Sequence, residues 1–222
     1  MLFQVLDADY IFTDNKPIVR IFCKTETGNS ACLFYDKFYP YFYIKLKRDL
    51  DELNQIKEIK KIEVVKRFVP FGFNENQSDL VKVTVFNPQE VPLIRDKLLK
   101  EGIAEETFES DILFKYRFLI DFGIKGMGWI DADVEKVATK TVKCTSYNVK
   151  KFNGPINKTD TNLKILSLDI ECLPTDPKKP LDPKNNTIIM ISLVFSPEYK
   201  NKSNLVLLSK NYNGKDTKGF SS

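Results

Sequence analysis

The chain has 222 residues, of which 42% are hydrophobic and 29% are charged, a composition that excludes a disordered tail and a fibrous protein. Lys and Arg total 34 against 30 for Asp and Glu, so the net charge of +4 is too small to identify a nucleic-acid partner by itself. The sequence contains no histidine, which excludes Ser-His-Asp and Cys-His catalysis and every zinc site that needs imidazole.

The cysteines and the N-terminus indicate the cellular compartment. Cys23, Cys32, Cys144 and Cys172 show no CxxC spacing, and we expect them to be reduced, buried apolar residues. Residues 1–10 lack the basic and apolar regions of a secretory signal, and no stretch approaches the roughly 18 apolar residues of a membrane span. We therefore expect a soluble, cytoplasmic protein without a membrane partner.

The first part of the chain alternates between strand and helix patterns. Residues 3–7 and 18–22 predict a hairpin, and residues 31–35 predict a further strand. From residue 41 the order is β, α, β, β, α, β, the ferredoxin-like plan. The predicted elements of this unit are strand 41–46, helix 51–60, strands 62–69 and 80–86, helix 89–100 and strand 105–108. Asn87 and Pro88 are typical of a helix start.

The later part of the chain predicts one more helix and a second unit. Helix 111–122 is followed by strands at 128–130 and 139–149, which complete an N-terminal domain over residues 1–150. Residues 151–162 continue a lysine-rich stretch that contains Gly154 and Pro155, which predicts a basic linker. Residues 163–222 then contain only three strand patterns, at 163–171, 188–195 and 205–209. The sequence thus predicts an α+β fold with a β-rich first domain and an incomplete second one.

Two carboxylates form the sharpest local signal for chemistry. Asp169 and Glu171 lie two positions apart in a predicted strand, so they share one face about 7 Å apart, while Leu168 and Ile170 point into the core. A divalent cation such as Mg²⁺ relieves the repulsion between such a pair. A solvent-facing acidic edge is the simpler alternative, since D-x-E is a short motif.

Several motifs resemble the N-terminal portion of family B DNA polymerases, especially the archaeal ones. LKILSLDIE at 163–171 resembles their first exonuclease motif, and IIMIS at 188–192 resembles the strand that follows it. The upstream landmarks are DYI at 9–11, KPIVRIF at 16–22, PY at 40–41, NPQEVP at 87–92 and FESDI at 108–112. Their shared order over about 190 residues makes a chance match improbable.

The resemblance implies an N-terminal domain followed by a ribonuclease-H-like 3′-to-5′ exonuclease domain and then the polymerase domains. Asp169 and Glu171 would be catalytic carboxylates that hold Mg²⁺ or Mn²⁺ in the complete enzyme. The chain lacks the later exonuclease motifs and the palm aspartates, so we expect it to be inactive alone. The implied partners are template DNA and the remaining polymerase polypeptide, at the nucleoid. A truncated chain and a subunit of a split enzyme both remain open.

The resemblance also implies a pocket that recognises uracil in single-stranded template DNA. The matching positions are Tyr10, Pro40, Tyr41, Pro88, Val91, Phe114 and Arg117. Apolar walls suit a flipped base and shape can exclude the methyl group of thymine, while Arg117 would hold a flanking phosphate. Without the resemblance, Val91 and Phe114 would be interpreted as core residues on helix faces.

Two other functions are compatible with parts of the sequence. A free-standing single-stranded nucleic-acid-binding module is one, because βαββαβ is also the plan of RNA-recognition domains. The expected RNP1 pattern is missing, although Phe68, Phe71 and Phe73 are candidates for base stacking. A small metal-dependent nuclease is the other, and the shortage of acidic motifs after Glu171 argues against it.

Overall fold

The fold is described by a computed structural model over residues 1–69, 75–139 and 141–209. In chain order the elements are β1 (Leu2–Thr13), β2 (Lys16–Thr25), β3 (Ser30–Tyr35), β4 (Tyr41–Leu46), α1 (Leu50–Asn54), β5 (Ile59–Arg67), β6 (Ser78–Val85), α2 (Val91–Lys100), β7 (Ala104–Phe108), α3 (Phe114–Asp121), β8 (Trp129–Val137), β9 (Thr145–Ile156), β10 (Ile165–Leu173), β11 (Thr187–Tyr199) and β12 (Lys202–Leu208). The chain divides into two compact units, Met1–Thr161 and Asn162–Ser222.

Five strands of the first unit close into a barrel in the order β1-β2-β3-β9-β8. Neighbouring strands are antiparallel except β3 and β9, which run parallel, with Ala31 opposite Thr145. This strand order, with α3 between the third and fourth barrel strands, is that of the OB-fold. Inward residues such as Ile21 and Leu33 are fully buried, and α3 adds Phe118 to the same core. Each such side chain contributes roughly 1.5–3 kcal/mol on burial.

A four-stranded antiparallel sheet is inserted in the chain between β3 and α3. Its order is β5-β6-β4-β7, with α1 connecting β4 to β5 and α2 connecting β6 to β7. Phe42, Val83 and Leu98 belong to a core that joins the sheet to the helices. A smaller cluster contains Tyr43 and Leu80. Side chains alternate between the two faces along a strand, and Tyr43 lies one position from Phe42 while Leu80 lies three positions from Val83. The two clusters therefore lie on opposite faces of the sheet.

The predicted helices are shorter in the structure. The helix predicted at 51–60 ends at Asn54, because Ile59 already belongs to β5 and packs against the sheet core. The helix predicted at 111–122 spans Phe114–Asp121. The predicted start at Asn87 is confirmed: its side-chain oxygen accepts a hydrogen bond from the Gln89 amide at 3.0 Å and begins a 3-10 turn at Pro88–Glu90 that leads into α2.

The prediction of a basic linker over residues 151–162 is wrong for the first half of that range. The barrel strand β9 continues to Ile156, and its lysines face the acidic strand β8, as in the 3.0 Å ion pair between Lys150 and Glu135. Gly154 has a φ of +122° beside a register shift opposite β8, so it permits a bulge rather than ending the strand. Lys140 lies outside the described residues.

The chain end of the first unit, at Thr161, is bound to the barrel by the buried side chain of Gln4. Gln4 is fully buried and its side-chain oxygen accepts hydrogen bonds from the amide of Thr161 at 2.9 Å and from its hydroxyl at 2.6 Å. Its side-chain nitrogen donates to the Met127 carbonyl at 3.1 Å. The last residue of the first unit is therefore fixed by contacts.

The second unit contains the three strands that the sequence predicts, β10, β11 and β12, as an antiparallel sheet in that order. Leu168 and Ile170 were expected to point into a core, but both are exposed in the structure. They share a face with Leu193 and Ile191 of β11, which are half-buried. An apolar sheet face of this kind is typical of an unfinished layer.

The cysteines match only in part the expectation that all four are reduced and buried. All four cysteines are free, but only Cys23 and Cys32 are buried, while Cys144 and Cys172 are half-buried. Burial raises the pKa of the Cys32 thiol to about 12, so this thiol stays protonated at neutral pH. Among the described residues, no helix is long and apolar enough to cross a membrane.

Candidate nucleic-acid-binding pocket

The seven residues that the sequence predicts for a base pocket line a single cavity of about 290 Å³ in the first unit. They are Tyr10, Pro40, Tyr41, Pro88, Val91, Phe114 and Arg117. Tyr10 comes from β1, Tyr41 from β4, Val91 from the start of α2 and Phe114 from the start of α3. The cavity, here called the first pocket, therefore lies where the barrel meets the inserted sheet.

The inner wall of the first pocket is aromatic and apolar. The ring of Phe114 meets Tyr10 edge-on at 5.1 Å and stacks on Phe38 at 5.4 Å between centroids. Val91 and Pro40 are buried and complete this wall. Such interlocked rings keep their positions without a ligand, so the wall is preorganised for a flat apolar group.

The side chain of Tyr41 contacts three charged residues. Its hydroxyl donates to the carboxylate of Asp121 at 2.7 Å, and its ring lies 3.8 Å from Lys82 Nζ and 4.8 Å from the guanidinium carbon of Arg117. Burial and the hydrogen bond to Asp121 both raise the pKa of Tyr41. Tyr41 therefore stays neutral at physiological pH and links β4 to the end of α3.

Arg117 does not occupy the position that was expected for a phosphate contact. It is only 6% exposed, and its Nη2 forms a 2.6 Å ion pair with Glu109. Burial opposes the charge on the guanidinium, but the hydrogen bond to Glu109 and the neighbouring Tyr41 outweigh it, so the pKa of Arg117 is raised. Its Nε is buried and has no hydrogen-bond partner among the described residues. Arg117 is thus a wall of the pocket with one unsatisfied donor.

Sequence reasoning missed half of the lining. The additional residues are Pro92, Arg95, Ser110, Asp111, Ile112, Leu113 and Lys115. Arg95 lies four positions after Val91 and therefore on the same face of α2, a signal that the helical spacing already contained. Its Nε is paired with Asp96 at 2.8 Å, and Lys115 Nζ lies 3.4 Å from Asp7. These partly exposed cations are nearer to solvent than Arg117 is.

A second pocket of about 270 Å³ shares Tyr41 and Arg117 with the first. Its other lining residues are Tyr43, Arg67, Phe68, Leu80, Phe108, Glu109 and Asp121. Of the three phenylalanines considered for base stacking, Phe68 is 56% exposed, whereas Phe71 and Phe73 lie outside the described residues. The two pockets therefore adjoin across a wall made of Tyr41 and Arg117.

Asp169 and Glu171 lie elsewhere, on β10 of the second unit. Both are exposed, and the strand geometry places them on one face, opposite Ser192 and Met190 of β11. Their oxygens suit a hard divalent cation, but two carboxylates are only part of a ligand set. Across the described parts of the chain, no three acidic or cysteine side chains are grouped to hold a metal ion.

Comparison with known proteins identifies the family. The sequence profile of DNA polymerase family B, exonuclease domain, matches residues 105–221, which is more than half of the chain. The chain belongs to DNA polymerase family B. DNA polymerase 2 of Aeropyrum pernix is 28% identical over 212 residues, which cover 86% of this chain and 25% of that protein. The DNA polymerase of Pyrococcus glycovorans is 39% identical over 163 residues, which cover 69% of this chain and 20% of that protein.

A solved structure shows the same architecture. The family B DNA polymerase from the hyperthermophilic archaeon Pyrobaculum calidifontis matches with a TM-score of 0.75 and 26% identity, over 95% of this chain and 27% of that one. This family B chain therefore has the mixed, sheet-rich fold of its relatives. It spans about a quarter or less of the length of the curated relatives it matches.

Proposed function

We propose that this chain is the N-terminal part of a family B DNA polymerase and that it binds single-stranded template DNA with a uracil base in the first pocket. The observation that carries the proposal is the convergence of residues from four distant chain segments on one cavity. Each of these residues was assigned to a base pocket through the resemblance of the sequence to the family, before their positions in the fold were known.

The chemistry of the first pocket supports uracil as its ligand. Val91 and Phe114 present apolar surface to the faces of a flipped base, and a closely fitted wall excludes the extra methyl group of thymine. Arg117 lines the first pocket, but its Nε has no exposed surface and its Nη2 is paired with Glu109. Its proposed role is therefore to shape the pocket wall rather than to contact a phosphate.

Val91→Gln tests this assignment. Glutamine adds volume and polar groups to the wall, so we expect the preference for uracil-containing over thymine-containing oligonucleotides to disappear in fluorescence-anisotropy titrations. Leu93→Gln is the matched control, because Leu93 is on the same helix, is 70% exposed and does not line the pocket. If Val91→Gln kept the wild-type ratio of the two affinities while remaining folded, the pocket assignment would be wrong.

We also infer that the second unit begins a ribonuclease-H-like 3′-to-5′ exonuclease domain. The family match that extends to residue 221 and the antiparallel order β10-β11-β12 support this inference. Asp169 and Glu171 would hold Mg²⁺ or Mn²⁺ together with carboxylates from the rest of the enzyme. The metal ions would activate water for phosphodiester hydrolysis. The chain alone is then expected to have neither nuclease nor polymerase activity.

The inserted sheet supports the ferredoxin-like assignment made from the sequence. The order β5-β6-β4-β7 with helices in both crossovers is the arrangement expected of a βαββαβ unit. An RNA-recognition module has the same plan, but family membership favours the polymerase function over a free-standing module or a small nuclease.

A further inference from the structure

The two adjoining pockets are arranged like binding sites for successive nucleotides of one DNA strand. Tyr41 and Arg117 belong to both linings, so the separation between the cavities is one layer of side chains. A base inserted in the first pocket leaves its neighbour attached through one sugar and one phosphate. The second pocket begins on the far side of this single layer.

The second pocket has the surface that a nucleobase needs. Its floor consists of Tyr43, Leu80 and Phe108 on the sheet face opposite the helices, and all three are buried. At its mouth, Phe68 exposes an aromatic ring to solvent. Aromatic side chains stack on bases of any identity, so a partly exposed ring beside a cavity favours single-stranded nucleic acid.

The charges around the second pocket are compatible with a polyanion. Its two carboxylates are already engaged, Glu109 by Arg117 and Asp121 by the Tyr41 hydroxyl. Arg67 is exposed at the mouth and forms no ion pair with another described residue. Its guanidinium is therefore available to a phosphate next to the stacked base.

We infer that the second pocket binds the nucleobase adjacent to the uracil, with Phe68 stacking on that base and Arg67 contacting its phosphate. This inference rests on the proposed function of the first pocket. It makes the recognised ligand a dinucleotide step within single-stranded DNA rather than a single base. Phe68 then binds the base next to the uracil and does not contact the uracil itself.

Oligonucleotides with one uracil and an abasic site on either side of it test the inference. We expect the wild-type chain to lose affinity on the order of tenfold when one particular neighbour is abasic, since a stacked base contributes that much. Phe68→Ala should lose the same factor with the intact oligonucleotide and should no longer respond to the abasic site. Phe12→Ala is the control, because Phe12 is 40% exposed and lines neither pocket.

The outcomes separate the two claims. If the wild-type chain prefers uracil over thymine but binds both abasic oligonucleotides as tightly as the intact one, the second pocket is not a base site. The same conclusion follows if Phe68→Ala binds the intact oligonucleotide normally. If the wild-type chain shows no uracil preference at all, the proposed function of the first pocket fails instead.

Discussion

Arg117 shows how a correctly selected residue can have a different role from the one its side chain suggests. An arginine beside a base pocket predicts a phosphate contact, but here the guanidinium is buried between Glu109 and the Tyr41 ring. Removing either member of a buried ion pair lowers the stability of the fold, because the other member is left as an unpaired charge. The first effect of removing Arg117 is therefore on stability.

Arg117→Ala should lower the free energy of unfolding by about 2 kcal/mol, because it leaves the half-exposed Glu109 unpaired and creates space against Tyr41. Urea denaturation followed by circular dichroism measures this change. Arg95→Ala is the comparison, since its pair with Asp96 is exposed and should contribute less than about 0.5 kcal/mol. Equal stability of wild type and Arg117→Ala would show that the ion pair is unimportant for the fold.

Residue identities in the first pocket could be predicted from the sequence, but their partners could not. Tyr10 and Val91 lie within motifs that resemble the family, Phe114 follows two positions after another, and the resemblance assigns all three to a pocket. Asp121 becomes a partner of Tyr41 only after β4 and α3 are brought together, and the hydrogen bond between the two residues spans 80 positions. Local patterns carry no information about contacts of that separation.

At the scale of elements, the contact between β4 and α3 holds the first pocket in shape. The Tyr41 hydroxyl is the hydrogen-bonding link in this contact, and its pKa is raised by burial and by Asp121. A group whose pKa is higher in the folded state stabilises the fold fully below its unfolded pKa, about 10 for tyrosine. That stabilisation is lost as the pH rises through the folded pKa.

Tyr41→Phe should therefore lower the free energy of unfolding by about 1 kcal/mol between pH 7 and 9. The difference from wild type should shrink above about pH 10, where unfolded tyrosine ionises. Chemical denaturation across this range measures both effects. Tyr116→Phe on α3 is the control, because its hydroxyl forms no hydrogen bond with another described residue and it is half exposed. If the difference in unfolding free energy between wild type and Tyr41→Phe grew with pH, the assigned role of the Tyr41 hydroxyl would be wrong.

The strands themselves were more predictable than their connections. Alternating apolar residues located β2 and β10 to within three positions at each end but missed the last six residues of β1. The parallel pairing of β3 with β9 joins residues 31 and 145 and closes a barrel that no local pattern contains. Gly154 and Pro155 are typical of a linker in sequence, but in the structure both pair with β8 as part of β9, beside a bulge at Asn153. The structure is needed to distinguish the two.

At the scale of the whole molecule, the two units differ in how completely they bury apolar surface. The first unit has two sheets, each with a buried core. In the second unit, Leu166, Leu168 and Ile170 are exposed on one face of a three-stranded sheet. Since the curated relatives are at least four times as long as the aligned region, polypeptide of the same family is the proposed cover for this face.

Catalysis by the second unit requires more metal ligands than Asp169 and Glu171 provide. The purified chain should not shorten 5′-labelled single-stranded DNA with Mg²⁺ or Mn²⁺, because Asp169 and Glu171 are too few ligands to place two ions. Adding a polypeptide with the remaining exonuclease and polymerase regions of a family B enzyme should restore degradation from 3′ ends. In that mixture, Asp169→Ala should abolish degradation and spare nucleotide addition, whereas Asp176→Ala, an acidic residue outside β10, should change neither. Metal-dependent digestion by the chain alone that disappears in Asp169→Ala would instead identify a complete small nuclease.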